Sequence, residues 1–127
     1  MTQSKPKNLH NRRVGAWGEN LAAEYLAAKG YELLGRNVRT EAGEIDLIAR
    51  KDGLLVFVEV KTRGSDRFGA PEEAITPLKQ QRMEDAAELW LTAHPEETGD
   101  WQLDVIAIRL RPENEQPEIL HLEGEFD

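Results

Sequence analysis

The sequence predicts a single α/β domain in which helices pack on a mixed β-sheet to form a sandwich; its 127 residues are enough for one such domain. Two observations carry this prediction. Two strand-like segments flank the turn dipeptide Asp52-Gly53, and segments with helical spacing stand before and after them. The predicted order is helix, strand, two hairpin strands, helix, strand.

The first predicted helix runs from about Arg13 to Lys29 and ends at Gly30. A strand from Tyr31 to Val38 follows it. The apolar stripe of the helix comprises Val14, Trp17, Leu21, Tyr25 and Ala28. Glu19 falls outside this stripe, so the spacing alone favours a solvated side chain for it.

The hairpin carries the most informative residues of the chain. A two-residue turn at Asp52-Gly53 fixes its register and places Asp46 across from Glu59, and Glu44 across from Lys61. Side chains alternate between the two faces of a strand. One face is therefore predicted to be wholly apolar and to enter the core: Ile45, Leu47, Ala49, Leu54, Val56, Val58 and Val60.

Two facing carboxylates destabilise a sheet unless something compensates for their charge. A divalent cation would do so for Asp46 and Glu59, since Mg²⁺ binds carboxylate oxygens and keeps several waters. Lys61 shares the face of Glu59 and could orient an attacking water or stabilise charge on a phosphate. The alternative is a set of ordinary cross-strand ion pairs among Glu44, Glu59 and Lys61, with Asp46 solvated.

A second helix begins at Thr76-Pro77, with Thr76 as N-cap and Pro77 in the first turn. Its apolar stripe comprises Met83, Ala86, Ala87 and Trp90. Lys79 and Arg82 lie in its first turns, where they are either phosphate contacts or ordinary solvent-facing residues. The polar loop before the helix holds Arg63 and Arg67, which either contact a phosphate backbone or belong to a plain surface loop.

A strand from Trp101 to Leu110 has apolar residues on both faces, which predicts a central position in the sheet. Asp104 interrupts it, either as a structural hydrogen-bonding residue or as a residue that tunes the site. Beyond Pro112 the chain is acidic, and it forms either a short edge strand around Ile119 to Leu122 or a loose tail. The edge strand is the favoured interpretation.

Five sequence blocks together resemble the YraN-like family of bacterial proteins. They are Gly15-Ala16-Trp17-Gly18-Glu19, Gly43-Glu44-Ile45-Asp46-Leu47-Ile48, Phe57-Val58-Glu59-Val60-Lys61-Thr62-Arg63, Arg67-Phe68-Gly69 and Leu103-Asp104-Val105. Asp46 and Glu59-Val60-Lys61 also resemble the PD-(D/E)XK nuclease signature, with Ile45 in the place of its proline. This resemblance implies a restriction-endonuclease-like three-layer sandwich, related to archaeal Holliday-junction resolvases.

The resemblance also implies roles for particular residues. Asp46 and Glu59 become ligands of Mg²⁺ or Mn²⁺, Lys61 the catalytic lysine, and Glu19 a further acid borne by the first helix. The implied partner is nucleic acid, with DNA, including branched DNA, as the expected substrate. Cutting two symmetry-related strands of a junction requires two sites, so the resemblance further implies a homodimer.

Charge and composition set the outer limits. The net charge of -8 argues against a nucleic-acid partner, but residues 95–127 hold two basic and ten acidic residues, so the excess is a C-terminal property. We expect a basic flexible leader at 1–12, a nuclease-like domain at 13–111 and an acidic segment at 112–127. The chain has no cysteine and no membrane-spanning apolar run, which predicts a cytoplasmic protein without a membrane partner.

Two functional hypotheses follow from these features. The first is a metal-dependent endonuclease that uses Asp46, Glu59 and Lys61. The second is a nucleic-acid-binding or assembly module that keeps the nuclease fold without useful turnover. Retention of all three residues favours the first hypothesis, whereas the acidic balance favours the second.

Overall fold

The computed structural model describes residues 5–63, 75–110 and 116–124, with side chains from residue 13 onward. Two helices and five strands follow one another in the predicted order, with one strand added at the end. They are α1 (Lys5–Ala28), β1 (Glu32–Thr40), β2 (Gly43–Lys51), β3 (Leu54–Arg63), α2 (Pro77–Ala93), β4 (Trp101–Arg109) and β5 (Glu118–Glu123).

The strands form one mixed sheet in the order β1-β2-β3-β4-β5. Neighbouring strands are antiparallel except β3 and β4, which are parallel and are joined through α2. Residues Leu103 to Ile108 of β4 are all buried, which confirms the predicted central position of this strand. β5 lies at the sheet edge, as the favoured interpretation of the C-terminal segment predicts.

Each face of the sheet has its own core and its own helix. On one face, Ala22, Ala23 and Leu26 of α1 pack with alternate residues of the sheet that include Leu47 and Val58. On the other face, Ala86, Ala87 and Trp90 of α2 pack with Ile48, Phe57 and their neighbours. The predicted α/β sandwich is therefore present, with two helices packed on a five-stranded mixed sheet.

The predicted hairpin turn is confirmed, because Asp52 and Gly53 both have positive φ, 54° and 80°. The predicted register is also confirmed from Lys51↔Leu54 to Leu47↔Val58. The face assigned to Ile45 is wrong. Ile45 belongs to the α2-side core, whereas Leu47 belongs to the α1-side core, so the alternation of β2 is broken between these two residues.

The predicted apolar stripe of α1 is also wrong in part, because two of its members do not enter the core. Within residues 13–28, where side chains are described, the buried residues of the helix are small or aliphatic: Gly18, Ala22, Ala23 and Leu26. Trp17 is 40% exposed and Ala28 is exposed, while Leu21 and Tyr25 lie at the margin of the core. The helix also begins at Lys5 rather than near Arg13. Small residues allow the helix axis to approach the sheet closely. A stripe chosen from large apolar residues does not identify a contact of this kind.

Asp104 has the structural role that the sequence analysis considered. Its side chain is fully buried and accepts hydrogen bonds from Gln102 Nε2 and the Gly124 backbone N–H, each at 2.9 Å. His121 Nε2 of β5 lies 2.8 Å from its other oxygen. These contacts link the edge strand to β4.

Neither α1 nor α2 has the length and apolar content that crossing a membrane requires.

Candidate active site

The candidate site lies at the end of β2 and β3 away from the hairpin turn. The β2–β3 ladder ends at Leu47↔Val58, so the predicted direct pairing of Asp46 with Glu59 is not part of it. Asp46 Oδ2 instead accepts a hydrogen bond of 2.8 Å from the backbone N–H of Val60. The side chain thus contacts the backbone of the neighbouring strand where regular pairing stops. The break in the alternation of β2 falls at the same level.

Asp46 and Glu59 still act on one another electrostatically. The pKa of Asp46 is raised from 3.8 to about 7, first because the carboxyl is buried and then because the charge of Glu59 is near. The hydrogen bond from Val60 opposes this rise without cancelling it. The predicted repulsion between these two carboxylates is therefore present, although they are not a regular cross-strand pair.

Lys61 is held by Glu59, with Nζ 2.8 Å from Oε2 and both side chains less than one-fifth exposed. Burial acts to lower the pKa of Lys61, but the hydrogen bond and the charge of Glu59 outweigh it and raise that pKa. The Lys61 ammonium is thus a fixed positive charge beside the two acids.

Lys79 of α2 reaches the same place. Its pKa is lowered because its amine shares a hydrogen bond with Lys61, with smaller contributions from burial and from the charge of Lys61. The start of α2 fixes this position, because the side chain of Thr76 caps the helix by accepting a hydrogen bond of 3.1 Å from the backbone N–H of Lys79. The predicted N-cap and helix start are both confirmed.

Glu19 is partly buried and lies within electrostatic range of Glu44 and Glu59. Burial raises its pKa, the hydrogen bond with Asn37 opposes that rise, and the nearby charges of Glu44 and Glu59 add to it. Its neighbour Gly18 explains how α1 comes so close. A Cβ atom at Gly18 would stand only 2.1 Å from Oγ1 of Thr62, so glycine is required at this approach of helix to sheet.

A cavity of about 190 Å³ opens beside these groups. It is bounded by the start of β2 and by the first turns of α2, and its lining comprises Gly43, Glu44, Glu59, Lys79, Arg82 and Met83. A larger cavity of about 600 Å³ lies between β1 and the C-terminal half of α2, lined by Leu34, Val38, Trp90 and others. Its lining contains none of Asp46, Glu59, Lys61 and Lys79, whereas Glu59 and Lys79 line the smaller cavity.

Three arginines were also predicted as phosphate contacts, and two of them lie among the described residues. Arg63 lies at the end of β3, where its charge contributes to lowering the pKa of Lys79. Arg82 lines the cavity. Arg67 lies outside the described residues. Asn37, whose side chain acts to lower the pKa of Glu19, was not among the predicted residues. Its position in a strand pattern was a signal of an irregular backbone, since asparagine tolerates positive φ.

The acidic side chains of the site determine which kind of divalent cation it could hold. Across residues 5–63, 75–110 and 116–124, no group of three or more His, Cys, Asp or Glu side chains could hold a metal ion. Mg²⁺ does not require such a group, because it is commonly bound by one or two carboxylates and keeps waters in its other positions. Two repelling carboxylates, Asp46 and Glu59, are a donor set of this kind, so the residues fit a hydrated cation of the magnesium type.

Comparisons with known proteins agree with the resemblance in the sequence blocks. Residues 18–108 match the model of a family described as "Uncharacterised protein family UPF0102". A UPF0102 protein of Syntrophomonas wolfei is 47% identical over 116 residues, which cover 91% of this chain and 99% of the relative. One from Mycolicibacterium gilvum is 43% identical over 113 residues, which cover 87% and 91%. The chain therefore belongs to the UPF0102 family, the YraN-like family that its sequence blocks resemble.

Proposed function

We propose that this protein is a metal-dependent endonuclease that hydrolyses phosphodiester bonds in DNA, including branched DNA. The observation that carries the proposal is the convergence of Asp46, Glu59 and Lys61 at one end of the sheet, beside a cavity lined by Lys79 and Arg82. Two acids that repel one another and a fixed ammonium are the groups that metal-assisted attack on a phosphate needs.

The fold supports this proposal. A helix, three antiparallel strands, a second helix and a parallel strand form a sandwich with one helix on each face. The resemblance to PD-(D/E)XK nucleases implies a sandwich with helices on both sides of a mixed sheet, so we propose that it belongs to the restriction-endonuclease-like class. Ile45 stands in place of the proline of that motif, and it packs into the α2-side core.

We assign Asp46 and Glu59 as the residues that would hold Mg²⁺ or Mn²⁺. Asp46 would hold the cation while its Oδ2 accepts the hydrogen bond from the Val60 backbone N–H. A bound cation of this kind would supply Lewis-acid charge to a phosphate oxygen and lower the pKa of a bound water. Glu19 is proposed as a third acid, which orients the water around the site rather than holding the metal.

The lysines and arginines would bind the phosphates. Lys61 already donates a hydrogen bond to Glu59, and the same ammonium can donate to a phosphate oxygen or to the attacking water. Lys79 lies beside it with a lowered pKa, and a phosphate bound between the two lysines would favour a positive charge on both. Arg63, Arg67 and Arg82 are proposed as further phosphate contacts. In the proposed reaction, a water oxygen bonds to phosphorus and gives up a proton, the bond from phosphorus to a sugar oxygen breaks, and that oxygen takes up a proton as it leaves.

The second candidate is a nucleic-acid-binding module that keeps the fold without turnover. The observation in its favour is the acidic rim of the site, where Glu44 and Glu19 add negative charge near Glu59. A homodimer and a cytoplasmic location accompany both candidates as expectations.

The two candidates are separated by cleavage of a labelled panel of single-stranded, duplex, flap and four-way-junction DNA at low salt. Mg²⁺, Mn²⁺ or EDTA is added, and wild type is compared with Asp46→Ala and with Asp85→Ala, which removes an exposed carboxylate of α2. The nuclease proposal expects metal-dependent cutting that falls at least 100-fold in Asp46→Ala and persists in Asp85→Ala. Binding of DNA without cutting by wild type would favour the module instead.

A further inference from the structure

The larger cavity, of about 600 Å³, has an apolar floor. Leu34 and Val38 of β1 line it together with Leu89, Trp90 and Ala93 of α2. Trp90 belongs to the α2-side core, and Leu34 and Val38 pack against that core, whereas Leu89 is 42% exposed. The cavity therefore opens apolar side chains to the surface at the sheet edge that β1 forms. Exposed apolar surface of this kind commonly marks an interaction site.

Two charged side chains of the lining already have partners. Arg39 Nε lies 3.9 Å from Glu44 Oε2, and Glu97 forms an ion pair with Arg50 near the end of β2. These charges are offset within the protein, so other acids of the rim determine its charge.

Glu41 and Glu88 are acids without such partners. Glu41 lines the cavity, and a neighbouring cavity of about 450 Å³ shares Glu41 and Leu89 with it and adds Glu88 from α2. Both glutamates are exposed, and within the described parts of the chain neither forms an ion pair. Negative charge beside an apolar floor disfavours a nucleic acid and favours a segment that combines positive charge with an apolar side chain.

The chain carries such a segment in its basic leader, residues 1–12. The leader has no acidic residue, and it contains Lys5, Lys7 and Arg12 together with one leucine, Leu9. Its charge is therefore opposite to that of the cavity rim, and its leucine matches the apolar floor.

The leader of a chain points away from that chain's own cavity. The helix α1 begins at Lys5, contacts Thr62 through Gly18 and leads into β1 at the level of the hairpin turn. At a rise of 1.5 Å per residue, Lys5 lies about 20 Å along the axis from Gly18, beyond the end of β3. The cavity lies on the other face, and its Glu97 pairs with Arg50 toward the hairpin turn. A second copy can supply the leader without a break in α1.

We propose that the cavity between β1 and α2 binds the basic leader of a second copy of this chain, with the positive charges of the leader near Glu41 and Glu88. Reciprocal binding of two leaders makes a dimer with two-fold symmetry, in which both copies use the same pair of surfaces. The proposal specifies a surface for the homodimer that the sequence resemblance implies. It does not depend on cleavage of DNA.

Sedimentation equilibrium of the full chain at low salt tests the assembly. We expect wild type to dimerise and Glu88→Lys to weaken dimerisation by about 10-fold or more, because like charges then face each other. Glu24→Lys, which reverses an exposed charge of α1, should dimerise like wild type. A wild type that stays monomeric at the highest soluble concentration, or a dimer that tolerates Glu88→Lys, would overturn the inference.

A charge swap tests which surfaces meet. The variant Lys5→Glu/Lys7→Glu has an altered leader and an intact cavity, whereas Glu88→Lys has an intact leader and an altered cavity. Each should be mainly monomeric alone, and an equimolar mixture should form a heterodimer, because both contacts then join opposite charges. Two variants that stay monomeric when mixed would overturn the inference.

A peptide of residues 1–12 with a fluorescent label tests the apolar part of the contact. Anisotropy with the full chain should show binding that weakens about 5-fold or more in a Leu9→Ser peptide, because a leucine that enters the cavity leaves water. Equal binding of the two peptides would show that charge alone attracts the leader and would overturn its insertion into the cavity. None of these measurements uses cleavage, so a protein that does not cut DNA would leave this inference intact.

Discussion

The surroundings of one residue, Asp46, are the reason why we propose a cation at this site. Its carboxyl is partly buried, lies near a second carboxylate and has a single backbone hydrogen bond to offset both effects. Proteins usually leave such a group protonated or pair it with positive charge. Lys61 is near, but its ammonium is hydrogen-bonded to Glu59. The negative charge of Asp46 is therefore costly to the free protein.

This cost predicts how the stability of the metal-free protein depends on pH. The pKa of Asp46 in the fold is about 7, against an ordinary 3.8, so its contribution is fully present below pH 3.8 and is lost as the pH rises through about 7. Asp46→Asn removes the ionisation and keeps an acceptor for the Val60 N–H. We expect it to become more stable than wild type as the pH rises, by at most about 4 kcal/mol.

The measurement is urea unfolding in EDTA between pH 5 and pH 8. Asp85→Asn is the control, because it removes an exposed carboxylate of α2, and its difference from wild type should stay near zero at every pH. A difference between Asp46→Asn and wild type that does not change with pH would contradict the electrostatic account of Asp46.

Several site residues could be predicted from the sequence because they lie near each other in the chain. One hairpin turn brings Asp46 to the level of Glu59 and Lys61, and the alternation of β3 puts the last two on one face. The position of Glu19 relative to these residues could not be predicted in this way. It depends on how closely α1 docks on the sheet, which is a tertiary contact that no local spacing encodes.

At the scale of the elements, the docking of α1 depends on one glycine. Gly18 faces Thr62 so closely that an added Cβ would meet Oγ1 at 2.1 Å and Cβ at 3.3 Å. Gly15, one helical turn earlier, has nothing within 4 Å of an added Cβ. A side chain at position 15 therefore has open space around it, whereas one at position 18 would collide with Thr62.

We expect Gly15→Ala to stabilise the protein by about 0.5–1 kcal/mol, because alanine is the better helix former. Gly18→Ala should destabilise it by about 1–3 kcal/mol, because the added methyl group overpacks the contact with β3. Urea unfolding of both variants measures this, and Thr62→Ala combined with Gly18→Ala should recover part of the loss. A stabilising Gly18→Ala would show that α1 does not dock as described.

Elements with strong local signals were predicted well. The hairpin had a turn dipeptide, and α2 had an N-cap, a proline and a regular apolar stripe, so the turn at Asp52-Gly53, the start of α2 and its buried face are confirmed. The stripe of α1 was misplaced because large apolar residues were counted, whereas the helix approaches the sheet through glycine and alanine. The face of Ile45 was wrong because a break in strand alternation leaves no mark in the apolar pattern.

At the scale of the whole molecule, the net charge of -8 conceals an uneven distribution. Lys61 and Lys79 lie together at the site, with Arg63 close enough for its charge to act on Lys79. The acidic excess comes mainly from residues 95–127. The proposed nucleic-acid partner would therefore meet these positive charges at the end of the sheet, beside the acidic rim of the site. The domain boundaries and the homodimer remain predictions.

This distribution predicts the salt dependence of DNA binding. Each phosphate contact releases counterions, so log Kobs should fall with log salt concentration, and Lys79→Ala should reduce the magnitude of the slope by about 1. Lys29→Ala, which removes an exposed lysine just beyond α1, should leave the slope unchanged. Fluorescence anisotropy of labelled DNA in EDTA measures both. Equal slopes for wild type and Lys79→Ala would exclude Lys79 as a phosphate contact.

We propose that Asp46 and Glu59 together bind one divalent cation, and calorimetric titration with Mn²⁺ at pH 8 measures this binding. We predict one binding event per chain in wild type and in Asp85→Asn, weakened at least 10-fold in Asp46→Asn and in Glu59→Gln. Binding of equal affinity in wild type and in both of these site variants would contradict the claim, as would a folded wild type that binds no Mn²⁺.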